Sequence, residues 1–236
     1  MTAFAKLATV QTKTTLREPA AAFFMIALGP MLVLLLGIMF GNLGAHLLGF
    51  TAIVVAIVGF VLVPVDLVTQ RENGALRRFR ATPLRPLTYI AANVLVRFVL
   101  SLLSITAMVA LGIAAFDASP QGSLVSVLGA AALGILAFLA VGYALAALLP
   151  SQGAALAAGN VIVYPLIFLS GAAIPLTDLP DGARQIAQFL PLTHLVELLQ
   201  GLWAGQSWTE NWLPLTVLLG TLTIATAIAA RFFRWE

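Results

Sequence analysis

The stretch PAAAFFMIALGPMLVLLLGIMFGNLGAHLLGFTAIVVAIVGFVLVPV, Pro19 to Val65, holds no Asp, Glu, Lys or Arg. A second charge-free run extends from Ala118 to Thr177. About 20 apolar residues, rising 1.5 Å each along a helix, cross the hydrocarbon core of a bilayer, so each run has the length of two spans. Only helices or closed barrels satisfy their backbone in that medium. Runs this long without period-2 alternation predict an all-α, multi-pass membrane protein.

Composition points the same way. Hydrophobic residues make up 61% and charged residues 9% of the 236, against about 25% charged in a soluble domain, and the mean hydropathy is +1.04. That length suits about six spans with short loops, read as one membrane domain over residues 1–236, and leaves no room for a soluble enzyme domain of ordinary size. The net charge of +3 comes from residues beside the spans, a mark of membrane topology rather than of a nucleic-acid partner. The absence of cysteine rules out disulfides, thiolate metal sites and a thiol nucleophile.

Breaks divide the runs. Gly41-Asn42-Leu43-Gly44 separates a first span (20–40) from a second (46–68), and Asp117-Ala118-Ser119-Pro120 ends a third (87–116). Pro150-Ser151-Gln152-Gly153 separates the fourth (123–149) from the fifth (154–174), and residues 211–230 make the sixth. Residues 1–18 interleave Phe4, Leu7 and Leu16 with Lys6, Lys13 and Arg17, the pattern of either a short interfacial helix or a frayed tail. The apolar stretch after it is longer than a signal-peptide core and is read as retained. Lys and Arg gather before the first span, at Arg71, Arg77, Arg78, Arg80 and Arg85, and at Arg231 and Arg234. The positive-inside rule then places both termini in the cytoplasm and residues 175–210 outside. In that external segment Leu195, Leu198, Leu199 and Leu202 share one helical face, predicting an interfacial or re-entrant helix, with Trp203, Trp208 and Trp212 as an aromatic belt.

The most informative polar stretch is RENGALRRFRATPLRP, Arg71 to Pro86. It carries more arginine than topology requires, and Leu76 and Phe79 give a short helix an apolar edge, so a docking helix for a cytoplasmic partner is expected, with a positive-inside anchor that snorkels into lipid headgroups as the plainer alternative. Inside the spans, Asp66 and Arg97 are the best-placed charges, and antiparallel neighbouring spans allow them to pair. Asn160, Tyr164 and Phe168 at i, i+4 and i+8 follow one face of the fifth span and are either core packing or a cavity wall. His194 and Glu197 lack enough further ligands for a zinc site. Gly37-x-x-x-Gly41, Gly201-x-x-x-Gly205 and the small residues from Gly153 to Gly159 permit close helix packing.

Three ordered features together resemble the type 2 permeases of ATP-binding-cassette exporters: the Arg-Glu-x-Gly-x-Leu-Arg-Arg-x-Arg-Ala-Thr-Pro-Leu segment (71–84), the Ser-Gly-x-x-x-Pro turn (170–175), and the Pro-Leu-Thr helix (191–193) before the last span. The similarity covers essentially the whole chain. Gln200 departs from it, standing where such permeases often carry arginine. The resemblance implies a bacterial plasma-membrane subunit with a second permease chain, a homodimer by expectation, and with cytoplasmic ATP-binding subunits. Glu72, Gly74, Leu76, Arg77, Arg78, Phe79 and Arg80 would couple it to the ATPase. It also implies a substrate path beside spans two and five, which favours the Asn160, Tyr164 and Phe168 face.

No G-x-x-x-x-G-K-[ST] occurs, and neither Lys6 nor Lys13 follows a glycine, so ATP and magnesium are expected on the partner and no cofactor on this chain. An apolar bundle with almost no buried charge suits a hydrophobic or amphipathic substrate, a drug or lipid, with a polysaccharide or lipid-linked glycan as the neighbouring alternative. An intramembrane enzyme would need a nucleophile and base at one depth, yet Ser101 and Ser104 lie in a span and both histidines at external ends. A secondary transporter would need intramembrane coupling carboxylates, and only Asp66 qualifies.

Overall fold

The computed structural model describes residues 3–40, 46–74 and 86–232. Helix α1 is Ala3–Arg17 and α2 covers residues 19–40, with a π turn at Phe23–Ala27. Helix α3 is Leu47–Glu72, with a second π turn at Val58–Leu62. Helices α4 (Pro86–Phe116), α5 (Leu124–Leu148) and α6 (Gln152–Leu169) follow. Then come the short α7 (Asp181–Ala187), α8 (Pro191–Trp203) and α9 (Trp212–Phe232). Among the described residues there is no strand. Five helices there, α3, α4 from Thr88, α5, α6 and α9, are long and apolar enough to cross a membrane, and Met25–Met39 within α2 is a shorter apolar helix where the first span was expected.

Helix α3 is the hub. It packs on α4, α5, α6 and α8, while α1 and α2 lie along α4, and α9 rests on α5 and α8. In a bilayer, apolar surface gains little by leaving lipid, so close packing at small residues must hold helices together. The contacts are of that kind. A Cβ at Gly142 of α5 would stand 2.5 Å from the Gly59 carbonyl oxygen and 2.8 Å from Val63, and one at Gly59 of α3 would stand 2.6 Å from the Phe138 oxygen. The two glycines notch the backbones into each other, and Phe60 packs edge-on against Phe138 beside them, 5.7 Å between centroids. Gly159 of α6 meets the Phe60 carbonyl, so the π turn of α3 is gripped from both sides. The small-residue run on α6 thus packs through Gly159, whereas Gly153 faces open space.

Helix ends follow local chemistry. Gly74 adopts φ +67, its N–H bonding the Arg71 carbonyl at 3.0 Å, and so stops α3 in the left-handed conformation glycine favours. Gly171, at φ +84, turns the chain after α6 in the Ser170–Pro175 turn. Ser104 donates to the Ile26 carbonyl at 3.0 Å, giving a partner to an acceptor in the π turn of α2.

The segment before the last span departs from the interfacial one of the two arrangements expected for it. Helix α8 does not lie on the surface with one face wet: Thr193, His194, Leu195, Leu198, Leu199, Gly201 and Leu202 are all buried, leaving Gln200 exposed. A Cβ at Gly134 of α5 would stand 2.5 Å from the Leu195 side chain, so α8 is packed into the bundle. Trp203 is buried with it and Trp208 leans over Gly129, so only Trp212, well exposed, fits the predicted aromatic belt.

Candidate functional site

Two polar groups stand at the end of the bundle where α3 stops and α6 begins. The first joins α3, α4 and α5. Asp66, nearly two turns before the end of α3, accepts a charge-assisted hydrogen bond from Arg97 Nη2 of α4. Gln70 Nε2, one helical turn on from Asp66, donates to the same carboxylate oxygen at 2.7 Å, and the Tyr89 hydroxyl donates to Gln70 Oε1. On the other side Arg97 Nε donates to Asn93 Oδ1 at 2.7 Å, and that oxygen also accepts the Tyr143 hydroxyl of α5. Asn93, Arg97, Tyr89 and Tyr143 are buried, whereas the Asp66 side chain keeps 31% of its surface, so the string opens outward at its carboxylate. A charge within a span costs up to about 2.5–3.5 kcal/mol on insertion scales, the full figure applying at the centre and less towards the ends. Each acceptor here meets an N–H or O–H, which offsets that cost.

The structure therefore brings Asp66 and Arg97 together. It adds Gln70, Tyr89, Asn93 and Tyr143, which the sequence reading passed over. A signal existed: Asp66 with Gln70, and Asn93 with Arg97, are polar pairs at i, i+4 inside apolar helices, each on one face.

The second group lies at the turn between α5 and α6. Arg71 Nη1 donates to the Ala146 carbonyl at 3.2 Å and Nη2 to the Leu149 carbonyl, so the guanidinium covers the C-terminal end of α5. Glu72 Oε1 accepts the Gln152 N–H at 3.1 Å, at the first residue of α6, whose Ala154 N–H is taken by the Ser151 hydroxyl at 3.2 Å. A cation thus meets the negative end of one helix dipole and an anion the positive end of the next. Of the expected coupling residues, Glu72 and Gly74 are placed here, while Leu76, Arg77, Arg78, Phe79 and Arg80 lie outside the described residues.

On α6, Tyr164 and Phe168 are exposed and Asn160 is half-buried, its amide donating to the Leu156 carbonyl at 2.8 Å. On α8, His194 Nε2 lies 2.9 Å from the Gln188 carbonyl and Nδ1 lies 3.2 Å from Glu197 Oε2, so the pair is structural in its contacts. Among the described residues no three His, Cys, Asp or Glu converge in a metal-holding group.

Comparison with known proteins places this architecture. The chain is 32% identical over 99 residues to nodulation protein J of Rhizobium leguminosarum bv. viciae, a match covering 42% of this chain and 38% of that protein. It is 36% identical over 83 residues to nodulation protein J of Rhizobium leguminosarum bv. trifolii, and 31% over 83 residues to that of Rhizobium meliloti (strain 1021), each covering 35% of this chain and 32% of the relative. The matches thus span about a third of each relative's length. The family model described as ABC-2 family transporter protein matches residues 40–231, from the start of α3's approach through α9 and including both polar groups. With most of its length matched, the chain belongs to the ABC-2 family of transporter proteins, the membrane permeases of ATP-binding-cassette systems.

Proposed function

We propose that this permease is the membrane subunit of an ATP-driven exporter that moves a hydrophobic or amphipathic substrate, a drug or lipid, across a bacterial plasma membrane. Two copies pair, and each couples to a cytoplasmic ATP-binding subunit through the segment Glu72 to Arg80, of which the residues from Leu76 onward touch the partner. The chain crosses six times, α2 being the first span, with both termini and the Arg71 end of the bundle in the cytoplasm and residues 175–210 outside. ATP and magnesium bind the partner alone. The observation that carries the reading is family membership across residues 40–231 together with the arginine-rich segment between α3 and α4.

The apolar face of α6 with Tyr164 and Phe168 exposed supports a lipophilic substrate, since it offers large apolar area with few polar groups to fix an ion or sugar. The test is reconstitution in proteoliposomes with the ATP-binding subunit that accompanies the chain. ATP-dependent efflux of a fluorescent phospholipid or lipophilic dye is expected, and transport of neither sinks the substrate class. Topology is read separately by single-cysteine labelling, which this cysteine-free chain permits. A cysteine at Arg78 reactive only from outside the cell overturns the orientation.

A further inference from the structure

The dipeptide Arg71-Glu72 stands where α3 gives way to the arginine-rich segment, and both of its side chains are engaged within this chain. The guanidinium holds the carbonyls of Ala146 and Leu149 and the carboxylate holds the N–H of Gln152. The turn they grip, Leu149-Pro150-Ser151-Gln152, has no charge of its own and joins α5 to α6. Immediately beyond, Asn73 and Gly74 end α3 by bonding back to Thr69 and Arg71. Any displacement of the segment after Gly74 is therefore applied first to these two residues.

We propose that Arg71 and Glu72 are positioning residues that latch the arginine-rich segment to the α5–α6 turn, so that movement imposed on the segment is delivered to α5 and α6 as well as to α3. This rests on the proposed coupling to an ATP-binding subunit, and it divides the segment. The residues from Leu76 onward meet the partner, while Arg71 and Glu72 face inward and carry no contact to it. The latch is well suited to transmit both push and pull. Two opposite charges act on two opposite helix ends, and charge-assisted hydrogen bonds resist extension as well as compression. Helix α6 is the element that bears Asn160, Tyr164 and Phe168, so the latch links the segment to the candidate substrate face.

The test compares Glu72→Ala, Glu72→Gln and Arg71→Ala with wild type, in the complex purified with its ATP-binding subunit in lipid nanodiscs. Expected is retained co-purification, an ATP concentration for half-maximal hydrolysis within about twofold, and a permease-dependent maximal rate lower by about tenfold in Glu72→Ala and Arg71→Ala, the scale of one lost hydrogen bond to a charge. Glu72→Gln, which keeps an acceptor for Gln152, should recover most of the rate. Loss of co-purification in Glu72→Ala overturns the proposal by making Glu72 a partner contact, and wild-type coupling in both alanine variants overturns it by making the contacts idle. Should a variant aggregate, Glu72→Gln and hydrogen exchange of the Gln152 amide in the wild-type chain still decide. Unprotected exchange at Gln152 overturns the latch. If the wild-type chain brings down no ATP-binding subunit, the coupling reading fails instead, and faster Gln152 exchange in Glu72→Ala tests the latch alone.

Discussion

Helices α3 and α9 are both long apolar spans, yet 72% of the best window of α3 is buried in the protein and only 17% of that of α9. Composition hardly separates them; their polar groups do. On α9 the hydroxyls of Thr216, Thr221 and Thr223 turn back on the carbonyls of Leu213, Val217 and Leu219 at 2.9–3.0 Å, so the helix satisfies itself and can face lipid. On α3, Asp66, Gln70, Arg71 and Glu72 all reach other helices. A span whose polar side chains look outward for partners is the one the bundle is built around.

The contrast breaks most sharply at Arg97. Arg97→Ala leaves the Asp66 carboxylate and Asn93 short of a donor, and a loss of about 3–5 kcal/mol is expected. The Asp66→Ala/Arg97→Ala double variant should lose less than the two single losses combined. Unfolding in mixed micelles supplies the double-mutant cycle, and simple additivity would show that the pair does not act as a unit. Next in size is Gly142→Ala, whose methyl meets the Gly59 carbonyl and should cost about 1–3 kcal/mol. A thermal midpoint equal to wild type would mean that the α3–α5 notch can open freely.

A smaller, local effect concerns the entry to α9. The Glu210 carboxylate accepts the Ser207 N–H at 2.5 Å and its hydroxyl at 2.9 Å, while the Glu210 N–H bonds Ser207 Oγ at 3.3 Å, a reciprocal cap. The Ser207 backbone N–H, then its hydroxyl, holds this carboxyl below the ordinary glutamate value. A depressed value means that the cap's contribution is present above the unfolded-chain pKa and is lost as pH falls through the folded one. The protection of the Ser207 amide, its exchange rate taken relative to the intrinsic rate at each pH, should therefore fall on acidification and stay flat in Glu210→Ala; equal behaviour of the two removes the cap as the cause. The smallest effect is expected at Gly220 of α9, where a Cβ meets nothing. Gly220→Ala should stay within about 0.5 kcal/mol of wild type, and a loss as large as that at Gly142 would mean that α9 is covered rather than lipid-facing.

Much of this was legible beforehand. Charge-free runs located the spans because burial in lipid forbids charge over a fixed length, and Asp66 and Arg97 stood out as exceptions to that rule. The partners Asn93, Tyr89 and Tyr143 did not, because a lone amide or phenol in an apolar helix shows its direction only once the neighbours are placed. Glu72 was read as facing a partner because it belongs to a motif read as one unit. Its carboxylate also caps a helix eighty residues away in sequence, a contact no local spacing encodes. Helix α8 was expected to be either interfacial or re-entrant on its leucine face. Its burial came from the Gly134 gap in α5, which only the packed structure reveals.

The π turn at Val58–Leu62 bears on how α3 tolerates changes in length. Each residue added to an α-helix turns everything beyond it by about 100°, enough to swing Asp66, Gln70 and Arg71 away from α4 and α5 while Gly49 still met the turn after α6. A π turn takes up one extra residue without rotating either half. Deletion of a single residue within 58–62 should thus leave both ends of α3 aimed as before. Gains or losses of one residue along this span are therefore expected at this mid-membrane position, between two ends that are each held in phase by their own contacts.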